Sequence, residues 1–310
     1  MVEECPPPRP GASQVLIEVK AFGLNRMETE MRRGLWGRVA RIGGIECVGI
    51  VRSDPLGRLD SGRMVVALMG GLGFTLNGSY AEYTCAPAAN VVPIESSLSW
   101  EEMAAVPESF ATAWTCLHRN LQIASEQILL IRGGTSALGQ AAINIAVESG
   151  VRVLATTRNK SRFVTLESLG AHQPLLETSN VSEVIRKRYP EGVDAVLDII
   201  GDSTILDSLH AVRRGGHVCV AGSLGGRSAI ATFDPSRDMP SAVYLSFFAS
   251  LMFGAPQFPV SDVPLQRIFD RVATGAYKAA PARVFQLGQI QEAHRLMESD
   301  QANGKLVVRM

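Results

Sequence analysis

The chain has 310 residues, equal numbers of Lys plus Arg and of Asp plus Glu, and 46% hydrophobic residues. That length exceeds one core and predicts two domains. Zero formal charge, with no basic run longer than Arg186-Lys187-Arg188, excludes the cationic excess that nucleic acid or an anionic membrane demands, so a small-molecule substrate is the expected partner.

The apolar stretch 242–253 is too short to span a membrane, and the acidic, proline-rich start is unlike a signal peptide. A cytoplasmic protein is expected. Cys5, Cys47, Cys85, Cys116 and Cys219 show no paired spacing and read as small buried hydrophobes rather than a disulfide or zinc framework. His118, His172, His210, His217 and His294 are equally scattered, so no metal site is expected.

Taken in order, residues 6–11 form an extended proline lead-in. Alternation predicts a strand at 14–22, and further strands follow at 47–51, at 64–68 and from Tyr80. Between them lie a short helix at 26–33 and a glycine loop at 69–73. Ser99 and Glu102 form a capping box that opens a helical stretch continuing through 110–119.

Next come a strand at 128–132, a glycine turn, a helix at 140–149 and a strand at 151–156, the length one nucleotide-binding βαβ unit needs. Gly134 and Gly139 hold the outer positions of the fingerprint and Ser136 the middle one, with Thr135, Ala137 and Leu138 completing the turn. A serine with negative φ still lets backbone approach a phosphate, and its hydroxyl is a donor. Two readings stand: a dinucleotide site, or a turn whose glycines serve helix and strand packing.

An NAD site carries an acid at the end of the second strand for the ribose 2′-hydroxyl. Here that strand runs into Thr157, Arg158, Lys160 and Arg162 with no acid, which favours a 2′-phosphate and NADPH; the other reading is ordinary solvated charge at a helix start. Alternation continues with a helix at 160–169, a strand at 193–199, a helix at 203–213 and a strand at 217–222, a doubly wound α/β pattern. Gly201 and Gly222 lie just past strand ends, where ligands of such sheets approach closely. Helices at 264–273 and 290–299 and a strand at 305–309 close the chain.

The segments Val15-Leu16-Ile17-Glu18-Val19-Lys20-Ala21-Phe22-Gly23-Leu24-Asn25, Gly44-Ile45-Glu46-Cys47-Val48-Gly49 and Gly78-Ser79-Tyr80-Ala81-Glu82-Tyr83, with the glycine turn, resemble the medium-chain dehydrogenase/reductase superfamily. The likeness is greatest to its zinc-free quinone oxidoreductases, and it extends through Leu169-Gly170-Ala171 to Gly304-Lys305. It implies a doubly wound Rossmann domain (105–247) inserted between two parts of a GroES-like β-barrel catalytic domain (1–104 and 248–310), with the active site in the cleft between them.

Against the zinc alcohol dehydrogenases of that superfamily, Asn25 stands where the first zinc cysteine would, and Ile45 replaces the histidine of Gly-His-Glu. An amide and an alkyl group cannot hold zinc as thiolate and imidazole do. The implied reaction is NADPH-dependent hydride addition to a quinone or an α,β-unsaturated carbonyl, with a tailoring step of secondary metabolism as one setting.

Asn25 is then either a hydrogen-bond donor to the developing oxyanion or a barrel-turn residue tolerant of unusual φ. Glu30 aligns with a tyrosine common in zinc-free relatives and is either a buried proton donor or a surface acid beside Arg26, Arg32 and Arg33. Relatives begin earlier in the barrel, so either the start of this sequence is trimmed or an edge of the barrel is open and the cleft wider. The apolar segment 243–248 resembles the edge through which relatives pair, implying a homodimer. The rival reading is a non-redox protein, an isomerase, cyclase or cofactor-sensing regulator, on the same scaffold.

Overall fold

The structure is a computed structural model that describes residues 2–230 and 232–310. It divides into two compact units, one comprising the chain through Ala111 together with Ser250–Met310, the other Thr112–Ala249.

The first unit begins with β1 (Gln14–Gly23), α1 (Arg26–Arg32), β2 (Glu46–Ser53), β3 (Met64–Leu68), β4 (Tyr83–Pro87), β5 (Val91–Pro93) and α2 (Trp100–Ala104). The division falls within α3 (Pro107–Thr115). β1 alternates as the sequence predicts, burying Val15, Ile17 and Val19. It is also the hub of a seven-stranded sheet, bonding antiparallel to β2, to β4 and to the final strand of the chain. Register shifts against β2 between Leu16 and Ile17 and between Val19 and Ala21 let one strand bend to serve three neighbours. The core inside this sheet includes Val15, Ile17, Phe22, Leu24, Cys47, Leu72, Phe285 and Val308.

The second unit runs β6 (Ile128–Arg132), α4 (Ala137–Glu148), β7 (Arg152–Thr157), α5 (Phe163–Ser168), β8 (Gln173–Leu176), α6 (Val181–Arg188), β9 (Val193–Asp198), α7 (Ile205–Ala211), β10 (Val212–Val220), α8 (Pro235–Asp238) and β11 (Tyr244–Phe247). Its six strands are all parallel in the order β11-β10-β9-β6-β7-β8. The order reverses between β6 and β9, and ligands of doubly wound sheets bind at the carboxyl ends of such a pair.

The chain then returns to the first unit through α9 (Leu265–Ala273), β12 (Arg283–Gln286), α10 (Ile290–Glu298) and β13 (Leu306–Arg309). α9 and α10 lie where their periodicity predicts.

Several elements differ from the sequence expectation. α4 begins at Ala137 rather than 140, because Ser136 caps it. β10 begins at Val212 rather than 217, and its register against β9 shifts between Val212 and His217, around the pair Gly215-Gly216. β8 carries Pro174 and lies at the sheet edge, where a missing donor is tolerated, so the residue that hides the strand from pattern reading is the one its position allows. Of the five cysteines, Cys5 is exposed and Cys85 only partly buried, against the expectation that all are core residues. Among the described residues, no helix is long and apolar enough to cross a membrane.

Candidate cofactor and active sites

The glycine turn sits at the carboxyl end of β6 and is bonded onto β7: the Gly133 amide donates to Thr156 Oγ1 at 3.1 Å and the Gly134 amide to the Thr156 carbonyl at 3.0 Å. A Cβ on Gly134 would meet Ala155 Cβ at 3.0 Å, and one on Gly139 would meet the Gly133 carbonyl oxygen at 2.4 Å. Both glycines therefore serve close packing of turn, helix and strand. Ser136 has φ −71°, as its position requires. Its hydroxyl is not a free phosphate donor, however, since it donates to the Gly133 carbonyl at 2.8 Å and accepts from the Gly139 amide at 3.1 Å. Capping with its own side chain leaves the Ala137 and Leu138 amides without an acceptor among the described residues. These donors at the positive end of a twelve-residue helix fit an anion, and Thr135 leads into them.

β7 ends at Thr157, whose side chain is buried and accepts from the Asn159 amide at 3.3 Å. Arg158 and Lys160 are exposed and Arg162 half-buried. The sequence places no acid here, yet Glu177 comes to this corner from beyond β8, its amide donating to the Thr157 carbonyl at 2.9 Å and its carboxylate accepting from Thr156 Oγ1. Gly201 and Gly222 lie at the ends of β9 and β10, but their missing side chains clear protein: a Cβ would meet the Gly222 carbonyl oxygen at 2.7 Å from Gly201 and the Ile199 carbonyl oxygen at 2.4 Å from Gly222. Packing within the protein alone therefore requires glycine at both positions. Gly201 also has φ +95°, and its amide donates to Asp198 Oδ1 at 2.9 Å.

In the first unit, Asn25 caps α1 with φ −128° and ψ 148°, ordinary extended backbone, so no unusual φ explains the residue. Its amide lies in a buried polar cluster: Nδ2 donates to Glu46 Oε1 at 2.8 Å, and Oδ1 accepts from Lys305 Nζ at 2.7 Å. Lys305 Nζ also donates to Glu46 Oε1 at 2.5 Å and to Ser109 Oγ at 3.2 Å, while Glu46 Oε2 accepts from the Glu108 amide at 2.8 Å. Beneath it, the Glu28 carboxylate accepts from the Asn25 amide at 2.6 Å and from the Ile45 amide at 2.9 Å, tying the start of α1 to the loop before β2. Burial pushes the Glu28 carboxyl up to about 8 against the opposing Asn25 hydrogen bond, and the Glu46 charge adds to the rise.

Glu30 is not the surface acid that its arginine neighbours suggest. It is buried and accepts from Trp36 Nε1 at 3.0 Å, while Arg26 and Arg32 turn instead to Asp300 and Glu298. Tyr80 stacks on Phe22 with ring centroids 4.6 Å apart and shares a 3.0 Å hydrogen bond with His294 Nε2. Burial pushes the His294 imidazole down to about 4, helped by the Arg32 charge, and its Nδ1 is buried without a partner. Tyr80, His294 and Glu28 line a groove flanked by residues 2–9. Among the described residues, no group of three His, Cys, Asp or Glu is placed to hold a metal ion.

The alcohol dehydrogenase GroES-like domain model matches residues 11–96, and the zinc-binding dehydrogenase model matches residues 169–308. The chain belongs to the medium-chain dehydrogenase/reductase superfamily. Within it, the chain falls in the quinone oxidoreductase-like branch: human quinone oxidoreductase is 24% identical over 309 residues, covering 97% of this chain and 90% of that protein. The structure of Escherichia coli quinone oxidoreductase complexed with NADPH superposes with a TM-score of 0.86 at 21% identity, covering 100% of this chain and 95% of the other, a likeness of fold. The CurK enoyl reductase structure gives 0.81 at 25% identity, covering 99% of this chain and 94% of the other.

The medium-chain dehydrogenase/reductase fold thus confirms the expected Rossmann-like and GroES-like parts. The glycine turn lies outside both matched stretches, so its reading rests on geometry. Sequence reasoning missed Glu177, Arg132, Glu46 and Lys305. The last two were visible only as parts of motifs, 259 residues apart and joined by a single buried hydrogen bond.

Proposed function

We propose that this chain is an NADPH-dependent reductase that adds hydride to a quinone or an α,β-unsaturated carbonyl and works without zinc. The observation that carries this reading is one corner of the second unit, where unpaired amides opening α4 lie at the β6 end and cationic Arg158, Lys160 and Arg162 follow β7. When bound there, the dinucleotide would supply the hydride. The Gly134–Gly139 turn would receive its phosphates through backbone donors, and the cations with Thr157 would form the 2′-phosphate rim. Gly201 and Gly222 would line the site through backbone only.

The zinc-free part of the reading is supported by Ile45, fully buried and apolar where zinc-binding relatives have histidine, and by Asn25, whose amide is committed to Glu46 and Lys305. An amide held from both ends acts on substrate through the arrangement of this cluster rather than as a loose donor. Glu30, held by Trp36, is a weaker candidate for proton transfer than the sequence suggested. Relatives named quinone oxidoreductase and enoyl reductase support the substrate class. A homodimer is supported by β11, an edge strand of the six-stranded sheet with Tyr244 64% and Phe247 71% exposed.

The test is a titration with NADPH and NADH followed by nicotinamide fluorescence, then a panel of quinones and enones followed by loss of reduced cofactor. Tight NADPH binding with turnover is expected. Binding of neither cofactor would overturn the reading in favour of a non-redox scaffold.

A further inference from the structure

β6 is apolar from Ile128 to Ile131 and then ends in Arg132, whose side chain is 0% exposed. A guanidinium placed there must have every donor satisfied. Nε and Nη2 fork onto the two oxygens of Glu177, Nη2 also reaches the Thr178 carbonyl at 3.2 Å, and Nη1 donates to Asp207 Oδ2 at 2.7 Å, the Thr204 carbonyl at 3.2 Å and Ser208 Oγ at 3.2 Å. Glu177 is held equally fully, since its second oxygen also accepts from Thr156 Oγ1, the hydroxyl that receives the Gly133 amide. The carboxylate therefore stands one residue from Thr157, at the strand end where a dinucleotide-binding sheet chooses between a ribose 2′-hydroxyl and a 2′-phosphate.

Resting on the reductase reading above, we propose that Arg132 is a positioning residue that sets the cofactor preference by sequestering Glu177. A free carboxylate at that corner would accept from a 2′-hydroxyl and repel a 2′-phosphate. Paired in a bidentate fork, it does neither, and Arg158, Lys160 and Arg162 are left to attract the phosphate. The preference for NADPH thus comes from a cationic rim together with a neutralised acid.

The test measures dissociation constants for NADPH, NADH, 2′,5′-ADP and 5′-AMP without substrate, on the wild type, R132M and R132M/E177Q. R132M is expected to weaken NADPH and 2′,5′-ADP by about tenfold or more, while NADH and 5′-AMP change by less than about threefold or tighten. The double variant, with no carboxylate to release, is expected to return NADPH to within about threefold of wild type. Equal weakening of all four probes in R132M, or no recovery in the double variant, would overturn the inference, because the network would then merely hold the turn. Should R132M not fold, R132K, which keeps the charge but loses the fork, carries the test: a shift of the NADPH to NADH ratio by about threefold supports the inference, and an unchanged ratio overturns it. A wild type that binds neither dinucleotide removes the proposed function itself. One that prefers NADPH alongside variants of unchanged ratio removes this inference alone.

Discussion

Lys305→Met tests the buried cluster of the first unit. Lys305 is 4% exposed and Glu46 is 0% exposed, and the lysine's three donors are all used, on Asn25, Glu46 and Ser109. Methionine keeps the length and apolar volume of the stem but removes the charge. Glu46 then keeps only the Asn25 Nδ2 and Glu108 amide bonds, which leaves a carboxylate with no cation among its hydrogen-bond partners. Removing one partner of a buried pair destabilises by about 3–5 kcal/mol. For a domain of this size that lowers the melting temperature by roughly 10 °C.

Adding Glu46→Gln removes the stranded charge, so the double variant should recover about 2 kcal/mol or more of the loss. Differential scanning calorimetry of the wild type, Lys305→Met, Glu46→Gln and the double variant closes the cycle. Equal losses in the single lysine variant and the double variant would show that the cluster acts by packing alone, and would refute the argument from buried charge.

Glu28 has a folded pKa of about 8 against an ordinary 4.5, so the folded state binds its proton more tightly than the unfolded state does. Its contribution to stability is fully present below about pH 4.5 and is lost as pH rises through about 8, with a size of a few kcal/mol. Glu28→Gln should flatten that part of the melting profile, and an unchanged slope would assign it to another group. His294 behaves oppositely: its folded pKa near 4 lies below the ordinary 6.5, so its contribution is present above 6.5 and is lost as pH falls toward 4. An imidazole NMR titration should find it neutral at pH 5, and a midpoint near 6.5 would contradict the burial. Asn25→Ala should cut kcat by about tenfold or more with little effect on NADPH affinity, since it disturbs the first unit's cluster and not the glycine turn. Phe247→Asp on β11 should convert a dimer to a 33.3 kDa species in sedimentation, and a wild type that already sediments at that mass would remove the dimer proposal.

Local signals made much of this protein legible. The alternation of β1, the capping box at Ser99, the apolar run of β6 and the amphipathic spacing of α9 and α10 follow from side-chain periodicity, which acts over a few residues. The glycine turn was legible as a turn, but not the use of its parts. That Ser136 would spend its hydroxyl on the helix cap, and that backbone carbonyls would stand close against Gly201 and Gly222, depends on neighbours that no spacing specifies. The surface reading of Glu30 failed for the same reason: charge neighbours in sequence predicted a solvated acid, while the chain folded Trp36 back onto it.

The amino-acid sequence by itself determined the strand, turn, helix and strand around the glycine turn, the superfamily and the cationic segment after β7, because the motifs that carry each are written in residues close together. Only the tertiary structure decided which distant charges meet. Arg132 finds Glu177 because parallel strands β7 and β8 bring the residue after Leu176 alongside Thr157. Lys305 finds Glu46 because the last strand returns to pair with β1, itself paired to β2. Such pairings are set by sheet order and burial, which strengthens every charge interaction they enclose, and neither leaves a mark in local sequence.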